Sequence, residues 1–225
     1  MDNPLILLLR LEGPLQSWGE RARWNYRDTA AMPTKSGIIG LLACALGKPR
    51  FDPLLLEMDE KLRMGVRMDR SGPITIDYQT VSGTIRTADG GQRGKKGEIS
   101  TIQSWRQYLQ DAAFLVALSG EAELLKRCAA ALKKPVWPIY LGRKSCVPTR
   151  PVFERLTSDY TSIEDALRNY PISEIGDPNR ELSCEIEALD EGRYHRRDKI
   201  LGTPIRTFGD RRINVLSVTP VLARR

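Results

Sequence analysis

Leu5-Ile6-Leu7-Leu8-Leu9-Arg10-Leu11 is the run that most constrains this chain. Its apolar part is far short of the roughly 18 residues of a membrane span, and it has the length of a strand. So few polar groups demand cover, so the run predicts a buried first strand. Gly13-Pro14 ends it. Asp2 precedes it where a basic stretch would be needed, so it does not read as a secretory leader. The chain has 225 residues, enough to hide about 70% of its unfolded surface in one large domain or two small ones. With 41% hydrophobic and 28% charged residues, wholesale disorder is excluded.

Downstream, the apolar spacing switches between helix and strand. Pro33-Thr34-Lys35-Ser36-Gly37 opens a helix to about Leu46, with Thr34 or Ser36 as cap and Gly47 at C′. It is apolar nearly all round, so it should be buried against the first strand. Pro53 starts a short helix through Leu62. Leu62, Met64, Val66 and Met68 alternate with polar residues as a strand does, and after Gly72-Pro73 so do Ile74, Ile76 and Tyr78. Ala112 to Leu118 predicts a core strand and Glu121 to Leu132 a helix. Ser162 to Asn169 predicts a short helix, and Glu181 to Leu189 and Ile213 to Val218 predict strands. No repeat, low-complexity tract or linker divides the chain. The order predicts an α+β fold with helices on one face of a sheet, the best specific form being a ferredoxin-like (RRM-like) core. Residues 1–225 then form a single domain, with a looser C-terminal part from about 150 to 225 as a possible subdomain.

The 35 basic and 28 acidic residues leave a net charge of +7. That points to an anionic partner, nucleic acid first. The excess is localised. Val81 to Gly97 carries Arg86, Arg93, Lys95 and Lys96 against Asp89, among five glycines. This predicts a long flexible basic hairpin or loop that is solvated alone and orders on RNA. Tyr194 to Arg212 carries six cations against two acids. Between Trp18 and Arg27, aromatic rings alternate with arginines, including Arg23. Rings stack on bases and guanidiniums hold phosphates, although the same rings could instead close over the core. Lys35 and Ser36 at a helix start suit a phosphate, although the pattern alone also fits an ordinary capped helix with a surface lysine. Arg143, Lys144 and Ser145 form a second cationic turn able to wrap an anion. The four cysteines have no paired spacing and there is one histidine, His195. No metal or cofactor is therefore expected, and a reducing cytoplasmic setting is. His195 has no identifiable orienting partner, so catalysis finds little support.

Four of these segments, in order, resemble one family. Leu5 to Leu11 with Gly13-Pro14-Leu15-Gln16-Ser17-Trp18-Gly19 is similar to the opening of the family-five CRISPR-associated (Cas) subunit of type I-E Cascade, an RNA-guided surveillance complex. Pro33 to Leu42, Thr101 to Leu109 and Tyr140 to Cys146 match three further motifs. The resemblance implies a modified RRM-like domain with a protruding hairpin, the thumb, supplied here by Val81 to Gly97. It implies a non-catalytic subunit capping the five-prime handle of the CRISPR RNA. The implied neighbours are the backbone subunits and the large subunit, with target DNA met only indirectly and no membrane involved. Lys35, Ser36, Arg143, Lys144 and Ser145 would lie on handle phosphates, and Trp18, Arg23 and Arg27 near displaced bases. Arg86, Arg93, Lys95 and Lys96 would touch RNA or a backbone subunit. The rival expectation is a metal-independent endoribonuclease using His195, by analogy with a type I-C relative that cuts its precursor RNA.

Overall fold

A computed structural model describes residues 3–21, 25–86, 91, 99–188, 190–202 and 207–222. The first half runs β1 (Ile6–Glu12), β2 (Leu15–Gln16), β3 (Tyr26–Arg27), α1 (Lys35–Ala45), α2 (Leu54–Lys61), β4 (Leu62–Arg70), β5 (Ile74–Gly83) and β6 (Ser100–Gln110). The second half runs β7 (Ala113–Gly120), α3 (Ala122–Lys133), β8 (Phe153–Thr157), α4 (Ile163–Asn169), β9 (Leu182–Glu187), β10 (Tyr194–Gly202) and β11 (Thr207–Val218). The fold is mixed α+β. Seven strands form an antiparallel sheet in the order β10-β11-β9-β4-β7-β1-β8. A smaller sheet gathers β2, β3 and β5 around β6.

Strand β1 is buried along its whole length because both faces of the large sheet are covered. Successive side chains point to opposite faces of a strand, and β1 divides accordingly. Leu7, Leu9 and Leu11 join Ile38 and Leu42 of α1, Leu55 of α2 and Leu125 of α3 in one core. Ile6 and Leu8 join Ile163, Ala166 and Leu167 of α4 in another. β7 splits the same way, with Phe114, Val116 and Leu118 on the first side and Leu115 and Ala117 on the second. The expectation of helices on one face is thus corrected: α4 covers the opposite face. Gly65 of β4 allows this, since a Cβ there would lie 2.4 Å from Ile163 Cγ2 and 2.9 Å from Leu167 Cδ1.

The second face also holds a buried ionic group. Asp69 accepts from Arg67 Nε at 2.6 Å, from Arg10 Nη1 and from the Ser173 amide at 2.8 Å. Arg67 reaches the carbonyls of Leu167 (2.6 Å), Tyr170 (2.7 Å) and Pro171 (3.0 Å). One guanidinium thus meets carbonyls at and just beyond the C-terminal end of α4. Strands β9, β10 and β11 continue the same sheet, so residues from the last third pack directly on the first half.

Five strands go beyond those expected: β2, β3, β6, β8 and β10. Phe153–Thr157 pairs with β1 at the sheet edge, and the basic stretch from Tyr194 is strand β10. The basic segment 81–97 is flanked by β5 and β6, which pair antiparallel from Ile74↔Leu109 to Gly83↔Ser100. Arg93, Lys95 and Lys96 lie outside the described residues.

Candidate nucleic-acid interface

Segments far apart in sequence meet at Gln107 of β6. Its carbonyl accepts from Ser17 Oγ (3.1 Å) and Arg143 Nη1 (3.1 Å). Its side chain accepts from the Thr29 amide (3.3 Å) and donates to the Tyr26 hydroxyl (2.7 Å). The Ser17 amide donates to the Leu141 carbonyl at 3.1 Å, which brings the 140–146 turn against the 16–19 segment. Gly142 closes that contact. It has φ +90°, and a Cβ would fall 1.7 Å from the Ser17 carbonyl oxygen. Only glycine permits both the conformation and the approach.

Beside this junction a cleft of about 230 Å³ separates α1 from the 137–142 segment. Ser36, Gly37, Gly40 and Cys44 form its helical wall, Trp137 and Tyr140 the opposite wall, and Lys48 and Arg50 its rim. Among the described residues, no carboxylate lines it. Lys48 is partly engaged by Asp52 at 3.4 Å. Burial pushes the Cys44 thiol above its ordinary range, so the group is a neutral thiol and not a nucleophilic thiolate. The sulfur rests on the Pro138 carbonyl at 3.4 Å. An aromatic wall, small residues opposite and cations at the rim can receive a base with its phosphate outside.

The N-terminus of α1 is already occupied. Thr34 caps it by accepting from the Gly37 amide, as expected, and Gly47 takes the positive φ of a C′ residue. The Lys35 amide, however, donates to Asp198 Oδ2 at 2.7 Å, so a carboxylate from β10 holds the positive end of the helix. Lys35 Nζ is buried between Glu187 Oε1 (2.8 Å) and the Asp59 carbonyl (2.7 Å). Arg211 grips Asp198 with two bonds of 2.8 Å. Asp59 is also buried, and its carboxylate oxygens make no hydrogen bond of good geometry, with only the Ile200 backbone in weak contact. Burial, opposed chiefly by the Lys35 charge, raises its pKa to about 6.

The expected contact residues therefore separate. Lys35 faces inward and is not offered to a phosphate. Trp18 is 1% exposed and donates its indole N–H to Gln16 Oε1, so its ring is core and not a stacking platform. Arg143 lies over the Tyr108 ring at 4.7 Å, with Nη2 on the Arg27 and Asp28 carbonyls, so its cation serves the junction. Ser36 is on the cleft wall. Arg27, Arg86, Lys144 and Ser145 are exposed. Arg23 lies outside the described residues. In the C-terminal basic run, Arg196 pairs with Glu185 and Glu20, and Arg211 with Asp198, so two of its cations are neutralised internally. His195 is exposed opposite Arg212 on β11, with no carboxylate bonded to it. Gln107, Trp137, Lys48 and Arg50 were missed. Lys48-Pro49-Arg50 directly after the C′ glycine was the available signal.

The geometry defines a basic, cleft-bearing α+β protein, and comparison places it in a family. The profile described as CRISPR-associated protein (Cas_Cas5) matches residues 6–216, so the chain belongs to the Cas5 family of CRISPR-associated proteins. It is 37% identical over 218 residues to the CRISPR system Cascade subunit CasD of Escherichia coli (strain K12), covering 91% of this chain and 92% of that protein. A solved Cas protein is similar at 36% identity and TM-score 0.70, covering 96% of this chain and 97% of its own. A chain of a solved CRISPR RNA-guided surveillance complex is similar at 31% identity and TM-score 0.72, covering 96% and 90%.

Proposed function

We propose that this chain is an RNA-binding subunit of a type I-E Cascade, that it caps the five-prime handle of the CRISPR RNA, and that its role is non-catalytic. The observation that carries the reading is the cleft between α1 and the 137–142 segment, with cations at its rim and no carboxylate in its lining, in a chain similar along 91% of its length to a Cascade subunit. Ser36, Lys48 and Arg50 would meet RNA at the cleft, with Lys144, Ser145 and Arg27 beside it and Arg86 on the hairpin. The backbone and large subunits would flank it. The four free cysteines suit a reducing, cytoplasmic setting. No helix among the described residues is long and apolar enough to cross a membrane.

We read the fold behind this as one ferredoxin-like unit. Strands β8-β1-β7-β4 lie in that spatial order, and the chain visits them as strand, helices, strand, strand, helix, strand. That is the split βαβ arrangement, and the β5–β6 hairpin inserted between its middle strands would be the thumb. The test is a handle-RNA titration across salt concentrations. Arg50→Ala with Lys144→Ala should weaken binding and reduce the slope of log affinity against log salt by about one per lost contact. Unchanged affinity and slope would overturn the assignment.

A further inference from the structure

Strand β3 is too short to hold itself in place. It pairs with β6 over two residues only, Tyr26↔Trp105 and Arg27↔Arg106, and both of its residues are exposed. A strand of that length gains little from burial or from its ladder, so its position depends on the side chains around it. These lead back to one residue. The Gln107 side chain accepts from the Thr29 amide at 3.3 Å and donates to the Tyr26 hydroxyl at 2.7 Å, which ties down both ends of the 26–29 segment. Its carbonyl accepts from Arg143 Nη1 at 3.1 Å, and Nη2 of the same guanidinium reaches the carbonyls of Arg27 (3.1 Å) and Asp28 (3.3 Å). Each residue from 26 to 29 is thus bound to Gln107 directly or through Arg143. The Arg27 side chain itself stays exposed.

From this we infer that Gln107 is a positioning residue for RNA binding: its side chain fixes the 26–29 segment, so that Arg27 is presented to a phosphate in one arrangement. The inference rests on the reading of Arg27 as an RNA contact beside the cleft. An arginine on an unanchored segment must lose backbone freedom when it grips a phosphate, and that loss opposes binding. Bonds already formed in the free protein remove the loss in advance. The amide is suited to the task. It carries an acceptor and a donor in one planar group, so it meets a backbone N–H and a hydroxyl together. A lysine in its place would offer the Thr29 amide no acceptor, and a carboxylate would set a negative charge near the segment that carries Arg27. Glutamine anchors the segment and leaves the charge that RNA meets unaltered.

The test is a double-mutant cycle on the full chain, read by titrating a synthetic handle RNA across salt concentrations. Arg27→Ala should lower both the affinity and the slope of log affinity against log salt, the slope by about one. Gln107→Met keeps the length of the side chain and removes both of its bonds. It should weaken binding about fivefold with the slope unchanged, because Arg27 still reaches the phosphate once RNA is bound. Tyr26→Phe, which removes one bond from an exposed site, should act in the same direction by a smaller factor. In the Arg27→Ala background, Gln107→Met should add nothing. A merely structural residue would weaken binding by the same factor with or without Arg27, and that result would overturn the inference. So would unchanged affinity of Gln107→Met and Tyr26→Phe while Arg27→Ala binds more weakly. If Arg27→Ala changes neither affinity nor slope, the reading of Arg27 as an RNA contact falls and takes this inference with it.

Discussion

The Arg10–Arg67–Asp69 group and the Lys35–Glu187–Asp198–Arg211 group both join the last third of the chain to the first, yet they are completed differently. In the first, both Asp69 oxygens are bonded and both guanidiniums reach backbone carbonyls, with only Arg10 Nε left without a hydrogen bond, 4.0 Å from Glu12 Oε1. Nearby, Glu12 and Glu154 face Arg10 and Arg150, so the signs balance. In the second, two cations and two carboxylates already balance, and Asp59 is a third carboxylate whose oxygens find only a weak contact from the Ile200 backbone. A buried ion pair holds a fold together only when its lone pairs and protons are met. The first group is therefore a clamp, and the second is a clamp with one surplus charge beneath α1.

Removing the centre of the first group should have the largest effect. Asp69→Ala strands two guanidiniums that are almost wholly inaccessible to water, and breaking such a pair from one side costs about 3–5 kcal/mol. The urea midpoint should fall accordingly. A loss below about 1 kcal/mol would mean that carbonyl acceptors alone carry the arginines, and the contrast between the groups would collapse.

The second group makes the opposite prediction. With a folded pKa near 6 against 3.8 for the free group, Asp59 binds its proton more tightly in the folded state. Its favourable contribution is full below pH 3.8 and is lost as pH rises through 6. Asp59→Asn should therefore stabilise the protein at pH 8 by about 2–3 kcal/mol and change little below pH 4. Equal effects at both pH values would show that Asp59 is not a surplus charge. Between these cases stands Gly65→Ala. It crowds α4 against the sheet by packing alone and should cost about 1–3 kcal/mol with no pH dependence, measured in the same denaturation series.

These contrasts also mark what was legible in the sequence. The burial of Leu5–Leu11 and the cap and C′ glycine of α1 could be read because period and capping are local. The second covered face could not, because Ala166 and Leu167 look like any short amphipathic helix until Gly65 shows how closely it docks. The site was less legible still. Lys35, Trp18 and Arg143 have the residue types that RNA contacts use, but partners more than a hundred positions away bury or engage Lys35 and Arg143, and Trp18 sinks into a core shared with α1. No window of sequence contains Glu187 and Lys35 together. Tyr194 to Arg212 looked like a free basic run because Glu185 and Glu20, which neutralise Arg196, lie outside it.

Arg143 and its neighbour Lys144 give the finest form of the comparison, since a cation can be held with no carboxylate at all. The Arg143 guanidinium is met by three carbonyls and the Tyr108 ring, whereas the next residue, Lys144, is exposed. Arg143→Ala should cost about 1–2 kcal/mol of stability. Arg143→Lys should recover little of it, because a point charge cannot span three acceptors as the planar fork does. Lys144→Ala should leave stability unchanged and instead lower the salt slope of handle-RNA binding by about one. Denaturation and a salt titration on the two single variants separate these outcomes. If Arg143→Ala left stability intact and removed the salt slope, the junction around Gln107 would be an RNA contact and the assignment of the two residues would be reversed.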